Sequence, residues 1–208
     1  ILAPAKLNLT FEVLAKRQDG FHEIRSIIQT INLCDSLRFQ LSQNIEFRCD
    51  KPDWVAAESL VSKAASLLQE ATGWVQGATI EINKRIPLVS GLGGDSSDAA
   101  AILRGLNKLW GLGLSQKELL GLASQLGSDV SFFLYGGTAL VRGRGEIVTP
   151  LAPLPHTWVV LMLPPVPRVP KKTKRLYDSL KATHYTDGHI THKLVALLTG
   201  RSLKGERL

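Results

Sequence analysis

Cysteine is scarce in this chain, since only Cys34 and Cys49 occur among its 208 residues. Two cysteines cannot build a disulfide framework, and such sparse use is typical of a reducing compartment. Long apolar stretches are also missing, because the longest strongly apolar run covers residues 158–163, far short of a bilayer span. The chain begins at Ile1 with no basic or signal-like segment. We therefore expect a soluble cytoplasmic protein that has no membrane partner.

The excess of basic over acidic residues is confined to the C-terminal end of the chain. Charged residues make up 21% and hydrophobic residues 44% of the sequence, ordinary globular values that exclude a disordered chain, a collagen-like chain and a coiled coil. The formal net charge is +7, but residues 166–208 hold 10 of the 25 basic residues and only 3 of the 18 acidic ones. Residues 1–165 are therefore balanced, which argues against nucleic acid as a partner.

The hydrophobic pattern changes along the chain between the periods of strands and helices. Residues 56–72 have a helical pattern that ends at Gly73, and Ser115 with Glu118 forms a capping box for a helix that Gly127 ends. Four prolines between residues 164 and 170 mark a predicted boundary between domains 1–163 and 164–208. The other predicted helices cover residues 96–110, 174–181 and 192–199, and the predicted strands cover residues 7–14, 24–33, 36–41, 79–83, 138–142, 146–151 and 158–163.

A segment rich in glycine and serine connects the strand at 79–83 to the helix at 96–110. Glycines let backbone N–H groups point inward around an anion, and the helix N-terminus adds a partial positive charge. The segment lacks the Gly-Lys-Ser/Thr ending of a P-loop, and Ser96 stands where a dinucleotide fingerprint needs glycine. It is predicted to hold a polyphosphate, and the alternative is a plain glycine turn capped by serine. The candidate residues are Pro87, Leu88, Val89, Ser90, Gly91, Leu92, Gly93, Gly94, Asp95, Ser96 and Ser97.

Two further places in the sequence hold polar residues suited to chemistry. Lys6 and Asn8 alternate with apolar residues, so their side chains face the same way on a strand. Asp129 is a lone carboxylate before a run of apolar residues, and it must find a cation or hydrogen-bond donors there. A base paired with a lysine would suit that position. The alternatives are an ordinary amphipathic strand and an aspartate that caps the next helical turn.

An aromatic residue and a histidine, Phe21 and His22, follow the turn signal at Asp19 and Gly20. Such a pair can stack on a planar base and form hydrogen bonds with it, and stacking contributes roughly 1–3 kcal/mol. The alternative is a hairpin turn with a partly buried phenylalanine and an exposed histidine.

These segments together resemble the GHMP kinase superfamily over nearly the whole chain. Residues 4–9 resemble its first motif, and residues 87–100 resemble its glycine-rich second motif. Residues 17–24, 91–100, 127–133, 143–146 and 185–188 resemble, more narrowly, the branch that phosphorylates CDP-methylerythritol in non-mevalonate isoprenoid synthesis. The resemblance implies an α+β GHMP kinase fold, with a ribosomal-protein-S5-domain-2-like α/β domain before a C-terminal α+β domain. It also implies ATP and Mg²⁺ as cofactors and a small-molecule substrate.

The same resemblance implies a role for each candidate residue. The glycine-rich segment holds the ATP phosphates, Asp129 accepts or orients the proton of the substrate hydroxyl, and Lys6 lies near that hydroxyl and the transferred phosphoryl group. An ammonium there stabilises the developing alkoxide. No protein ligand of the metal is assigned. The implied substrate-binding residues are Asn8, Phe21, His22 and Tyr177.

The sequence departs from the family's pattern in several places. Phe21 stands where tyrosine is usual, Ser131 where proline is usual, and Asp95 replaces a common glycine of the loop. A carboxylate beside a phosphate site is unfavourable unless it points away. The third glycine-rich motif has no counterpart before Leu208, so residues 164–208 are predicted to be an incomplete C-terminal domain. Apolar helix faces left there without a partner favour self-association, as in a homodimer, or a disordered tail.

Two other functions stay open at this point. A homoserine or mevalonate type of kinase from the same superfamily would share the Lys6 region and the glycine-rich segment, without needing Phe21 and His22. An RNA-binding module would use Arg142, Arg144 and the basic tail as phosphate contacts. The balanced charge of residues 1–165 argues against that second alternative.

Overall fold

The computed structural model of the chain describes residues 1–163 and 172–200. The chain divides into two compact units: unit 1 holds Ile1–Leu7 and Thr30–Gly136, and unit 2 holds Asn8–Gln29 and Gly137–Leu208. Two long strands contribute residues to both units, β1 over Leu2–Lys16 and β2 over His22–Ser42, and they pair with each other.

Unit 1 combines strands with four α-helices. Residues 36–42 of β2 pair antiparallel with β4, Gly77–Asn83, and β4 pairs parallel with β3, Glu46–Cys49. Helix α2 packs against the three other helices, and α1 also packs against α3. The helices are α1 (Leu60–Thr72), α2 (Gly94–Leu109), α3 (Gln116–Leu126) and α4 (Ser128–Tyr135), and a short 3₁₀ helix covers Ala56–Glu58.

Local signals in the sequence explain where these helices begin and end. Ser59 caps α1 by accepting a hydrogen bond from Val61 N, and Gly73 ends it with a φ of 69°. The capping box of α3 is present, with Ser115 and Glu118 bonded to each other's backbone. The helix predicted for residues 56–72 corresponds to α1, which begins at Leu60 and buries Val61, Ala64, Ala65 and Leu68.

Unit 2 combines antiparallel strands with two helices. Residues 24–29 of β2 pair with β5, Thr138–Gly143, and β5 pairs with β6, Ile147–Pro150. Helices α5 (Lys172–Asp178) and α6 (His189–Thr199) flank a 3₁₀ helix at Ala182–His184. The carboxylate of Glu12 on β1 accepts hydrogen bonds from Thr191 N at 2.7 Å and Thr186 Oγ1 at 3.0 Å, so it caps the N-terminus of α6.

The structure corrects several expectations about the elements. The strands predicted at 24–33 and 36–41 are one continuous strand, β2. Helix α4 was not predicted, because its short apolar segment shows no distinctive period. The strand predicted at 158–163 is wrong: these residues have no regular structure, and Trp158, Val160 and Met162 are 86%, 90% and 87% exposed. Apolar composition favours a strand, but an extended segment also needs a neighbour for its backbone hydrogen bonds.

The domain boundary predicted at residue 164 falls outside the described residues, which resume at Lys172.

Among the described residues, none of the helices is both long enough and apolar enough to span a bilayer.

Candidate active site

The two predicted catalytic residues meet in unit 1. Lys6 Nζ on β1 lies 3.5 Å from Asp129 Oδ2 in the first turn of α4. The Lys6 side chain is only 9% exposed, whereas the Asp129 side chain is 37% exposed and accessible to a substrate. Helix α4 is preceded by Gly127 at the N-cap and has no side-chain cap among the described residues. The Asp129 carboxylate therefore has a cation beside it, as a lone carboxylate in an apolar segment requires.

The glycine-rich segment lies directly beside Lys6. Lys6 N donates a hydrogen bond to Leu92 O at 2.9 Å, and Ala5, Ile86 and Leu92 form a buried apolar cluster. Gly93 has a φ of 75°, and a Cβ on it would lie 2.8 Å from the Phe133 ring and 3.0 Å from Lys6 Cγ. Only a glycine at position 93 therefore lets the loop backbone lie this close to the Lys6 side chain.

The loop leads into a helix N-terminus that suits an anion. Helix α2 begins at Gly94 with Gly93 at its N-cap, and no side chain among the described residues caps it. The N–H groups of a helix's first turn have no intrahelical acceptor, and the helix dipole favours negative charge there. This arrangement suits an anion such as a phosphate group, and the half-buried Ser96 belongs to the same first turn.

Asp95 faces another helix. Its Oδ1 accepts a hydrogen bond from Ser59 Oγ, and its Oδ2 accepts one from Leu60 N at 3.0 Å. The carboxylate that replaces a common glycine therefore caps α1. Because the side chain of Asp95 is bonded to α1, only its backbone N–H remains a candidate for binding phosphate.

Ser97 differs from the expectation in a similar way. Its side chain is buried, and its hydroxyl has no hydrogen-bond partner among the described residues. It lines a cavity of about 240 Å³ together with Cys34, Arg104 and Phe133. The Ser97 hydroxyl is therefore a weaker candidate for phosphate binding than the Ser96 hydroxyl.

Sequence reasoning missed a buried ion cluster at the base of the loop. Lys84 Nζ lies 2.5 Å from Asp35 Oδ2 and 2.6 Å from Asp98 Oδ2. Burial raises the pKa of Asp98 to about 7, although Lys84 opposes that shift. Burial also opposes the charge of Lys84, but Asp98 and Asp35 raise its pKa above the usual value. Asp35, between the strands predicted at 24–33 and 36–41, was the available signal, because strands disfavour aspartate.

The predicted substrate-binding residues Asn8, Phe21, His22 and Tyr177 belong to unit 2. The rings of His22 and Tyr177 stack with centroids 4.9 Å apart and an angle of 24°. Tyr177 therefore contacts His22, one of the other residues predicted to bind the substrate. Phe21 is 53% exposed, and the guanidinium of Arg144 lies 4.6 Å from its ring centroid. Asn8 is exposed on β1.

One group of side chains in the described part of unit 2 is spaced for a metal ion: Glu12, Asp187 and His189 have ligand atoms within 4.8 Å of one another. These side chains already take part in hydrogen bonds. Glu12 caps α6, and Asp187 Oδ1 lies 2.9 Å from His189 Nδ1. These hydrogen bonds account for the closeness of the three side chains, which lie where β1 meets the N-terminus of α6.

Comparison with known proteins places the chain in a family. It matches the GHMP kinases N terminal domain over residues 59–137. A 4-diphosphocytidyl-2-C-methyl-D-erythritol kinase of Dehalococcoides mccartyi is 53% identical over 195 residues, which cover 94% of this chain and 69% of the relative. The kinase of the same name from Geobacillus thermodenitrificans is 45% identical, over 88% of this chain and 64% of the relative.

Solved structures agree with this placement. A crystal structure of 4-(cytidine 5'-diphospho)-2C-methyl-D-erythritol kinase superposes with a TM-score of 0.73 at 36% identity, over 97% of this chain and 72% of that one. A homoserine kinase from Cytophaga hutchinsonii shares the fold, with a TM-score of 0.58 at 24% identity, over 96% of this chain and 66% of that one. The predicted α+β GHMP kinase fold is confirmed, and the chain belongs to the 4-diphosphocytidyl-2-C-methyl-D-erythritol kinase family of GHMP kinases.

Proposed function

We propose that the protein transfers the γ-phosphoryl group of ATP to the 2-hydroxyl group of CDP-methylerythritol, a step in non-mevalonate isoprenoid synthesis. ATP use follows from membership in a kinase family. The observation that carries the proposal is the Lys6–Asp129 pair beside the glycine-rich loop, in a chain 53% identical to a kinase named for this substrate. This identity favours the proposed substrate over homoserine or mevalonate, and it leaves the RNA-binding alternative without support.

In this proposal the reaction needs positioning and charge stabilisation more than covalent chemistry. Asp129 accepts the proton of the attacking hydroxyl, or orients it, because its carboxylate is accessible and has the Lys6 ammonium at 3.5 Å. Lys6 stabilises the negative charge that develops on the hydroxyl oxygen and on the transferred phosphoryl group. The backbone N–H groups at the start of α2 hold the ATP phosphates.

Mg²⁺ is a further part of the proposal. This cation prefers oxygen ligands and is commonly held by one or two carboxylates together with substrate phosphates. The Asp129 carboxylate and the Ser96 hydroxyl supply oxygens of the right kind in unit 1. When bound, the metal neutralises charge on the polyphosphate.

The exposed aromatic residues of unit 2 are the proposed nucleoside contacts. Phe21 offers a stacking face, Arg144 lies against it, and His22 offers ring nitrogens for hydrogen bonds. Asn8 and Tyr177 are proposed as further contacts with the substrate. We also propose a cytoplasmic location, in keeping with the sparse cysteine content.

A substrate panel tests this function. Purified protein is assayed for ADP release with ATP–Mg²⁺ and CDP-methylerythritol, homoserine or mevalonate, and thermal shifts are recorded with ATP–Mg²⁺ and with each acceptor. We expect stabilisation by ATP–Mg²⁺ and by CDP-methylerythritol, and turnover with that acceptor alone. Turnover or stabilisation confined to homoserine or mevalonate would contradict the proposal, as would salt-dependent RNA binding in place of nucleotide binding.

A further inference from the structure

The buried ion cluster of Lys84, Asp35 and Asp98 has no part in the proposed chemistry. Lys84 is 4% exposed and both aspartates are 0% exposed, so the three charges are removed from water. Buried ion pairs are often no more stabilising than apolar residues of the same size. Stability alone therefore does not explain why this ion cluster lies beside the glycine-rich loop.

The cluster connects the two ends of the loop. Lys84 directly follows β4 and Asp98 lies near the start of α2, so the ammonium of a residue before segment 87–97 bonds to a carboxylate just after it. Asp35 Oδ1 also accepts hydrogen bonds from Arg85 N at 2.6 Å and Ile86 N at 2.8 Å. The chain entering the loop is thus fixed to β2, and the helix leaving the loop is fixed to the same cation.

The packing above the cluster is tight. A Cβ on Gly94 would lie 3.0 Å from Ile86 Cγ2 and 3.4 Å from Lys84 Nζ. Lys84 N is itself held by Asp50 Oδ1 at 2.8 Å. The first turn of α2, whose N–H groups face the proposed phosphates, therefore rests directly on Lys84 and Ile86.

We propose that Lys84 is a positioning residue for phosphate binding, which joins Asp35 on β2 to Asp98 on α2 and so fixes the direction of the N–H groups at the start of α2. This inference deepens the proposed function and rests on it for the identity of the phosphate ligand. Lys84 does not contact the phosphates in this assignment, since it is buried beneath the loop.

Two substitutions and a matched control separate positioning from stability. Lys84→Met removes the ammonium and keeps most of the side-chain volume, and Asp98→Leu removes the partner on α2. Leu68→Ala, in the buried face of α1, destabilises the fold without touching the cluster. Urea unfolding measures the stability of each variant, and isothermal titration measures its dissociation constant for ATP–Mg²⁺ at a temperature where all are folded.

We expect Lys84→Met and Asp98→Leu to weaken ATP binding by about tenfold or more, the size of one lost hydrogen bond to a charged group. Leu68→Ala should bind ATP like the parent despite its lower stability. Asp98→Asn keeps an oxygen that accepts from Lys84, so it should bind within about threefold of the parent, well under the tenfold that a lost bond implies.

The outcomes distinguish the two proposals. A parent protein that does not bind ATP contradicts the proposed function itself. A parent that binds ATP, with Lys84→Met and Asp98→Leu binding equally well, overturns the positioning role and leaves a purely structural cluster. If Lys84→Met does not fold, the comparison of Asp98→Leu with Asp98→Asn decides, and equal affinity in those two variants overturns the inference.

Discussion

At the scale of single residues, Asp129 offers the sharpest test of the proposed chemistry. Asp129→Asn keeps the size of the side chain and removes its ability to take a proton. We expect turnover to fall by about 10²-fold or more, the usual contribution of a general base, while ATP binding is retained. Steady-state kinetics and nucleotide titration measure the two effects. Glu70→Gln, at an exposed position of α1, is the control, and turnover of Asp129→Asn within a few-fold of that control would remove the assignment.

Phe21 tests the proposed nucleoside contact. Phe21→Ala removes an exposed ring that lies against Arg144, and stacking on a base contributes roughly 1–3 kcal/mol, so the KM for CDP-methylerythritol should rise about 5- to 150-fold. The KM for ATP should hardly change. Phe11→Ala removes another half-exposed phenylalanine of unit 2 and should change neither constant. Equal increases in both constants for Phe21→Ala would indicate a structural role.

Asp98 predicts a pH dependence of stability. Burial raises its pKa to about 7 in the folded protein from 3.8, with Lys84, Asp35 and Asp95 as the charged groups that act on it. The folded protein therefore binds more protons than the unfolded chain between these values, and the free energy of unfolding should fall as the pH rises through about 7. In Asp98→Asn, this fall in the free energy of unfolding with rising pH should be absent. Urea midpoints at about pH 5 and about pH 8 measure it, and parallel shifts in parent and variant would show that Asp98 does not titrate there.

The residues of the site illustrate what sequence can and cannot predict. The contact between Lys6 and Asp129 was expected, because a lone carboxylate needs a cation and the family resemblance puts Lys6 near it. Lys84 and Asp98 were missed, because their burial depends on how β4, β2 and α2 pack. Asp95 lies in the predicted phosphate segment, but only the structure shows that its carboxylate caps α1.

At the scale of elements, the glycine-rich loop contains two glycines that form a matched pair. Gly93 and Gly91 have φ values of 75° and 83°, but only a Cβ at Gly93 meets other atoms, the nearest in Phe133 at 2.8 Å. Gly91→Ala should cost about 1–2 kcal/mol through backbone strain alone. Gly93→Ala should add roughly 1–3 kcal/mol of overpacking and weaken ATP binding as well.

Chemical denaturation and nucleotide titration measure both effects of the glycine substitutions. Gly91→Ala serves as the control, because it shares the unfavourable φ and lacks the contact. Equal stability and equal ATP affinity in the two variants would show that the loop does not need its close approach to Phe133 and Lys6.

The sequence predicted helices and strands well where a local signal marks them, and poorly where an element depends on pairing with a distant segment. Capping residues and a helical stripe located α1 and α3, because those signals depend on neighbours in the chain. Residues 158–163 have a strand composition and no strand, because a ladder requires a second segment that composition does not reveal. Helix α4 is the opposite case, since its apolar residues gave no period from which a helix could be predicted.

At the scale of the whole molecule, self-association is the remaining prediction from the apolar tail. Leu197 on α6 is exposed, next to the half-buried Leu194 and Leu198. If two copies pair through this face, Leu197→Lys should raise the dimer dissociation constant about tenfold or more, since a charge is placed in an apolar contact. Sedimentation equilibrium measures the constant, and Lys193→Gln on the same helix is the control. A parent that stays monomeric at all concentrations would contradict this prediction.

The exposed segment at 158–163 has a consequence for the protein's behaviour in concentrated solution. Six consecutive apolar residues without charge, three of them with high β-propensity, lie at least partly open to solvent and can stack with the same segment of other molecules. In the sequence Pro164 and Pro165 come directly after this segment. A proline has no N–H to donate to a growing ladder, so the pair limits such stacking at one end. We therefore expect the two prolines to limit aggregation through this segment, a role separate from any part in catalysis.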